Sequence, residues 1–122
     1  MHFRAMAAAA AIFMTAATPA MATQVAITIS IPVTGESSVT STSADYDCAG
    51  RTVNATYINA GEVSLAVLDI DGETVVASNV VAASGARYTG GRYVWWTKGE
   101  EADLYDLMDG GEDMPAAHCI VK

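Results

Sequence analysis

Few residues of this chain are arranged to carry out covalent chemistry. Nucleophilic catalysis needs a nucleophile within hydrogen-bond reach of a base, but Ser84 has alanine at both positions where a GxSxG elbow has glycine. His118, next to Cys119, is the only histidine outside the N-terminal segment. We interpret it as a surface or strand-end residue rather than a metal ligand. We therefore expect no enzyme, no catalytic residue, no cofactor and no metal site.

The fourteen acidic residues are the other groups with catalytic potential. Two of them could lie at the separation used by glycosidases, but surface solvation explains them more simply. Residues 69–73 have the carboxylate density of a calcium loop without the twelve-residue spacing of an EF-hand, so we interpret them as a hairpin turn. Residues 109–113 are interpreted as a solvated acidic loop.

Two short segments, residues 84–88 and 95–99, remain as candidates for binding. Gly85 and Gly99 tolerate positive φ, so both segments can bend sharply and form small protruding loops. Lys98 is a cation in an acidic chain and can pair with a carboxylate. Taken singly, these features are also typical of ordinary turns, of aromatic residues that fill a core and of a solvated lysine.

The N-terminus has the features of a secretory signal peptide. His2 and Arg4 form a basic start, residues 5–17 are small and apolar, and Ala20-Met21-Ala22 fits the pattern that signal peptidase needs. An apolar run of about 13 residues is shorter than the roughly 20 that cross a bilayer, so a retained membrane helix is the less favoured alternative. We expect cleavage near Ala22. Because the first cysteine is Cys48, we also expect a soluble periplasmic or secreted protein without a lipid anchor.

The expected mature chain of 100 residues is long enough for one domain. It has five basic and fourteen acidic residues, which gives a net charge of −9. Such a chain repels nucleic acid and anionic lipid and attracts cationic partners. Its two cysteines, Cys48 and Cys119, indicate a disulfide more than a metal pair in an exported protein.

The hydrophobic pattern predicts an all-β fold. Alternating apolar residues predict a strand over residues 25–33, and a Ser/Thr-rich linker follows it. We therefore divide the chain into a signal peptide (residues 1–22), an N-terminal strand with its linker (23–43) and the main domain (44–122). From Tyr46 onward we expect seven or eight short antiparallel strands. Asp71-Gly72 is the strongest hairpin signal, and residues 82–91 are expected to be a loop. A small closed barrel is the solution that avoids exposed edges.

The two candidate segments, together with the cysteines, resemble the signature of a known family. Ser84-Gly85-Ala86-Arg87-Tyr88 and Trp95-Trp96-Thr97-Lys98-Gly99, with Tyr46-Asp47-Cys48 and Cys119, are similar to the periplasmic and membrane-bound inhibitors of c-type lysozyme, the MliC/PliC family. The resemblance covers roughly residues 46–122 and implies a small eight-stranded antiparallel β-barrel stapled by one disulfide.

The resemblance also implies a partner and a site. In the family, the serine and the lysine of these segments enter the active-site cleft of lysozyme, which here are Ser84 and Lys98. By the same resemblance, Arg87 and Tyr88 would shape or flank the inserted loop. Gly85 and Gly99, at the two bends, complete the predicted lysozyme-binding residues. C-type lysozymes are basic, which suits an acidic partner.

One alternative from another class stays open. A secreted barrel could bind a small ligand or a cell-wall glycan by stacking it on Tyr88, Trp95 and Trp96, although small barrels usually have filled interiors. The sequence also leaves open whether two copies form a homodimer.

Overall fold

The computed structural model describes residues 8–20, 25–35 and 38–122. Eight antiparallel strands form a closed up-and-down barrel in which each strand pairs with its neighbours in sequence and β8 pairs with β1. This confirms the predicted fold. The strands are β1 (Val39–Cys48), β2 (Arg51–Ala60), β3 (Val63–Ile70), β4 (Glu73–Val80), β5 (Ala86–Gly90), β6 (Tyr93–Lys98), β7 (Glu101–Asp106) and β8 (Ala117–Val121).

Tight turns set the register of the hairpins. Asp71 and Gly72 have φ values of 52° and 82°, which matches the mirror-image turn that suits the twist of two antiparallel strands. The carboxylate of Asp69 accepts a hydrogen bond of 3.0 Å from the amide of Gly72. The predicted hairpin therefore forms where Asp-Gly signalled it.

The barrel interior is filled by alternate residues of the strands. Trp95 is fully buried at its centre, and the ring of Tyr46 packs edge-on against it at 5.0 Å between centroids. The indole N–H of Trp95 donates to the hydroxyl of Tyr57 over 2.9 Å, and the Tyr46 and Tyr57 hydroxyls lie 2.8 Å apart. Burial is the main reason why the pKa of Tyr57 is raised. The polar atoms of these aromatic side chains are thus satisfied by one another.

A disulfide joins the first strand to the last. Cys48 on β1 and Cys119 on β8 lie opposite each other, are fully buried and form the predicted bond. The bond spans 71 residues of sequence. Closing a loop of that length stabilises a fold by roughly 4 kcal/mol in the chain-entropy model, so the bond secures the seam of the barrel.

The N-terminal predictions need correction. Residues 25–33 do not form the predicted strand; Val25 is 92% exposed and Ile29 is 73% exposed. A strand forms only with a ladder partner, and residues 25–33 have none in the structure. Strand β1 already begins at Val39, so part of the predicted linker belongs to the barrel. Likewise, the predicted loop over 82–91 ends early because β5 begins at Ala86.

The segment with the signal-peptide features is described only in part. Residues 8–20 have no regular secondary structure, and the expected cleavage position at Ala22, like His2 and Arg4, lies outside the described residues. Within the described ranges, the structure contains no helix that is both long and apolar enough to span a bilayer.

Candidate functional site

Both candidate loops lie at the same end of the barrel. Successive connections of an up-and-down barrel alternate between its two ends, so the β4–β5 connection (residues 81–85) shares an end with the β6–β7 turn at Gly99. We call this the loop end. Ser84 and Lys98 are both exposed there. The geometry needed for one partner to contact both side chains is therefore present.

Gly85 brings the Ser84 loop into direct contact with the end of β6, which carries Lys98. Its φ is +66°, and a Cβ atom at this position would lie 2.3 Å from the carbonyl oxygen of Thr97 and 2.8 Å from Cγ of Lys98. Both distances are far below van der Waals contact, so a side chain would force the loop away from β6. Glycine is required here by conformation and by space.

Trp96 touches both loops from the outer face of β6. Its indole N–H donates a hydrogen bond of 2.8 Å to the carbonyl oxygen of Ser84. The ammonium nitrogen of Lys98, two residues further along the same strand, lies 5.3 Å from the centroid of the indole ring. This distance is within the range of a cation–π interaction.

Arg87 does not project freely toward a partner. Its side chain is 22% exposed and forms an ion pair with Glu112 of the β7–β8 connection. Its guanidinium also lies 5.8 Å from the centroid of the Trp96 ring. Arg87 thus borders the site with its charge already neutralised, and Lys98 is the cation that extends from the loop end.

Tyr88 lies in the core. The side chain is 5% exposed and packs against Tyr57, with 5.8 Å between the ring centroids. Successive residues of a strand face opposite sides, so Arg87 faces outward and Tyr88 inward. The prediction that Tyr88 shapes or flanks the inserted loop stays a prediction, and its burial means that it would do so from inside the barrel.

The same burial removes the predicted aromatic surface for a glycan. Tyr88 and Trp95 lie inside the barrel, and only Trp96 of the three lies on the outer face. The Trp96 ring already packs against Arg87 and Lys98. The three residues therefore do not form a common stacking surface.

Sequence reasoning missed Glu112. It belongs to a predicted acidic loop, and its pairing with Arg87 joins residues 25 positions apart. Local spacing carries no signal for such a contact. Both residues line a groove of about 390 Å³ on the outer face, beside the Ser84 loop; its other lining residues are Val81, Ala82, Ala83, Val94, Trp96 and Tyr105.

His118 is a surface residue, as predicted. Its Nδ1 lies 2.7 Å from a carboxylate oxygen of Asp103, and its Nε2 lies 3.8 Å from Glu101. The hydrogen bond with Asp103 is the main reason why the pKa of His118 is raised. Among the described residues, no group of three His, Cys, Asp or Glu side chains is placed to hold a metal ion.

The exposed groups at the loop end suit recognition of a partner. A hydroxyl and an ammonium group extend from two linked loops on a rigid barrel, and a hydroxyl can donate as well as accept. Together they suit a cleft that contains carboxyl groups.

Comparisons with known proteins agree with this description. Residues 46–113 match the family described as membrane-bound lysozyme-inhibitor of c-type lysozyme. The chain is similar to the membrane-bound lysozyme inhibitor of C-type lysozyme from Pseudomonas aeruginosa, with 47% identity over 70% of this chain and 68% of the relative. It is also similar to the protein of that name from Cupriavidus necator, with 51% identity over 63% of each chain. The chain thus spans about two thirds of the length of these curated relatives.

A solved structure has a similar fold. The inhibitor in the crystal structure of Pseudomonas aeruginosa MliC in complex with hen egg white lysozyme superposes with a TM-score of 0.64 at 40% identity. The match covers 81% of this chain and 100% of that chain.

Proposed function

Since the chain belongs to the family of membrane-bound lysozyme inhibitors of c-type lysozyme, we propose that it inhibits a c-type lysozyme by placing the loops of Ser84 and Lys98 in the active-site cleft. The observation that carries this proposal is the exposure of both side chains on contacting loops at one end of the barrel. The relatives are named as inhibitors, in agreement with the expectation that the chain is not an enzyme.

The chemistry of the target explains how two small groups could inhibit it. Lysozyme uses two carboxyl groups about 5 Å apart, one a protonated general acid with raised pKa and one ionised. An inserted loop excludes the sugar. The ammonium group of Lys98 would also favour the ionised form of a nearby carboxyl group, so the general acid would lose its proton. Ser84 can complete the hydrogen bonds without steric conflict.

The remaining predicted contact residues take supporting parts in this proposal. Gly85 allows the close approach of the loops, Gly99 turns the chain after Lys98 with a φ of +59°, and Arg87 borders the Ser84 loop while paired with Glu112. Tyr88 supports the loop from the core. None of these four needs to enter the cleft.

Net charge would speed the encounter. The sequence carries six basic and fourteen acidic residues, and opposite net charges raise association rates at low ionic strength. The attraction between exposed charges is screened beyond a Debye length of about 10 Å at 0.1 M salt. Lys98 has the opposite sign to the bulk of the surface, which fits a local role against a carboxylate.

We place the mature protein in the periplasm or outside the cell, in soluble form after cleavage near Ala22. The signal-peptide pattern of residues 1–22 supports export. Cys48 and Cys119 are the two cysteines of the sequence and are joined in a disulfide, so neither offers a thiol for a lipid. Cell fractionation with mass spectrometry of the mature N-terminus tests this location.

The inhibition test measures the rate at which lysozyme clears a cell-wall suspension in the presence of the purified mature chain. We expect the wild type to inhibit and Ser84→Ala and Lys98→Ala each to raise the inhibition constant by about tenfold, or ~1.4 kcal/mol. Ser78→Ala and Lys122→Ala are matched controls, because each makes the same chemical change on an exposed residue of another segment.

The control variants distinguish the loss of a specific contact from the change in net charge. Lys122→Ala changes net charge as much as Lys98→Ala does, so equal losses for the two variants would mean that bulk charge, not the Lys98 contact, accounts for inhibition. Unimpaired inhibition by both Ser84→Ala and Lys98→Ala would refute the proposed site. A wild-type chain without any effect on a panel of c-type lysozymes would refute the function itself.

A further inference from the structure

We propose that Trp96 is a positioning residue that couples the two binding loops, so that Ser84 and Lys98 are presented as one preorganised unit. This inference rests on the proposed function for its readout in lysozyme, but the contacts that carry it are all made between residues of this chain on the outer face of the barrel. Trp96 itself need not touch the partner.

The first contact fixes the Ser84 loop. The β4–β5 connection has no regular secondary structure over residues 81–85. The Trp96 indole N–H donates to the Ser84 carbonyl over 2.8 Å, and its nitrogen lies 3.2 Å from where a Gly85 Cβ would be. A side chain of a regular strand thereby fastens an irregular loop at Ser84, the residue whose hydroxyl is proposed to contact the partner.

The second contact restrains the lysine. Lys98 and Trp96 are two residues apart on β6 and so face the same side of the barrel. The ammonium nitrogen lies 5.3 Å from the ring centroid. A lysine side chain has many rotamers, and ordering them is one of the costs of binding. The aromatic face favours the rotamers that hold the ammonium beside the Ser84 loop before any partner arrives.

A third contact holds the indole ring itself. Arg87 pairs with Trp96 across the β5–β6 ladder, and its guanidinium lies 5.8 Å from the ring centroid. The ion pair with Glu112 restrains that guanidinium in turn. Arg87 of β5 therefore restrains the indole ring. The ring in turn contacts the Ser84 loop through its N–H group and Lys98 through its aromatic face.

Different substitutions of Trp96 should remove the contact with the Ser84 loop and the contact with Lys98 separately. Trp96→Phe keeps an aromatic face for Lys98 but has no N–H for the Ser84 carbonyl. Trp96→Leu removes both contacts. If Trp96 acts through the loops, Trp96→Phe should reduce the effect of Ser84→Ala alone. Trp96→Leu should reduce the effects of both Ser84→Ala and Lys98→Ala.

Double-mutant cycles on the inhibition constant measure this dependence. In the Trp96→Phe background we expect Ser84→Ala to cost less than about threefold, compared with about tenfold in the wild type, while Lys98→Ala keeps its full effect. In the Trp96→Leu background both effects should shrink. Tyr93→Phe is the control, because Tyr93 is an aromatic residue at the opposite end of β6 and lies against Arg92 rather than Arg87.

A second measurement does not depend on lysozyme. The backbone order parameters of residues 83–86, measured by NMR relaxation in the free protein, should fall from about 0.85, typical of rigid backbone, toward about 0.6 in Trp96→Phe. They should stay unchanged in Tyr93→Phe, and those of the core strands should not change in either variant. Additive cycles, or unchanged order parameters of the Ser84 loop in Trp96→Phe, would overturn the proposed coupling. If the wild type fails to inhibit, the proposed function fails, and the order parameters still decide the role of Trp96.

Discussion

Replacing Gly85 by alanine tests the contact on which the geometry of the loop end depends. The change places an L side chain at a φ of +66°, which costs about 1–2 kcal/mol for the backbone alone. It also places Cβ 2.3 Å from the Thr97 carbonyl oxygen, where ordinary contacts begin at 3.4 Å. The loop must therefore move by about 1 Å, and the hydrogen bond from Trp96 to Ser84, worth about 1 kcal/mol, is lost.

Gly91 provides the matched control. Its φ of +54° imposes the same kind of backbone strain, but a Cβ there meets no atom within 4 Å, and Gly91 lies in a turn at the end of the barrel opposite the loop end. We expect Gly85→Ala to destabilise the fold by about 2–3 kcal/mol and Gly91→Ala by about 1–2 kcal/mol. Each kcal/mol corresponds to a fall in Tm of about 4–8 °C for a domain of this size.

The two variants should differ more strongly in inhibition. Gly85→Ala displaces Ser84 and crowds Lys98, so we expect its inhibition constant to rise by more than about tenfold. Gly91→Ala should inhibit as the wild type does. Thermal unfolding and the cell-wall clearance assay give both quantities. Equal values of Tm and of the inhibition constant for the two variants would refute the argument from close approach.

Two further predictions concern the scaffold. Reducing the disulfide, or replacing Cys48 and Cys119 together by serine, should lower the free energy of unfolding by about 2–5 kcal/mol, as measured by urea denaturation; an unchanged midpoint would contradict this. For His118, NMR titration should give a pKa above the ordinary value of 6.5, and Asp103→Asn should bring it down. Because the pKa of His118 is raised in the folded state, the small stabilisation from this pair is complete below pH 6.5 and is lost as the pH rises through the folded pKa. A His118 titration midpoint that Asp103→Asn leaves unchanged would exclude the pairing.

Much of the barrel was predictable because it depends on local rules. Strand periodicity and the Asp71-Gly72 turn are encoded within a few residues, and a small all-β chain avoids exposed edges by closure. The strand over residues 25–33 was predicted wrongly because alternation shows that a segment can pair but not whether it has a ladder partner in the fold.

The site was predictable in part for similar reasons. Alternation along β5 could have placed Tyr88 inside once Arg87 was taken as exposed. The pairing of Arg87 with Glu112 depends on the path of the long β7–β8 connection, which no local spacing encodes. The contact between Gly85 and Thr97 depends on how closely the β4–β5 connection approaches the end of β6, which no local spacing encodes.

The alternation of the connections leaves the far end of the barrel available for engineering. The turns at Ala49-Gly50 and Asp71-Gly72 lie there, a full strand length from Ser84 and Lys98, and a Cβ on Gly50 or Gly72 would meet no atom within 4 Å. Exposed turns of this kind tolerate insertions. A tether or a fluorescent tag grafted onto either turn would hold the protein on a bead or a sensor chip with its recognition tip facing the solution.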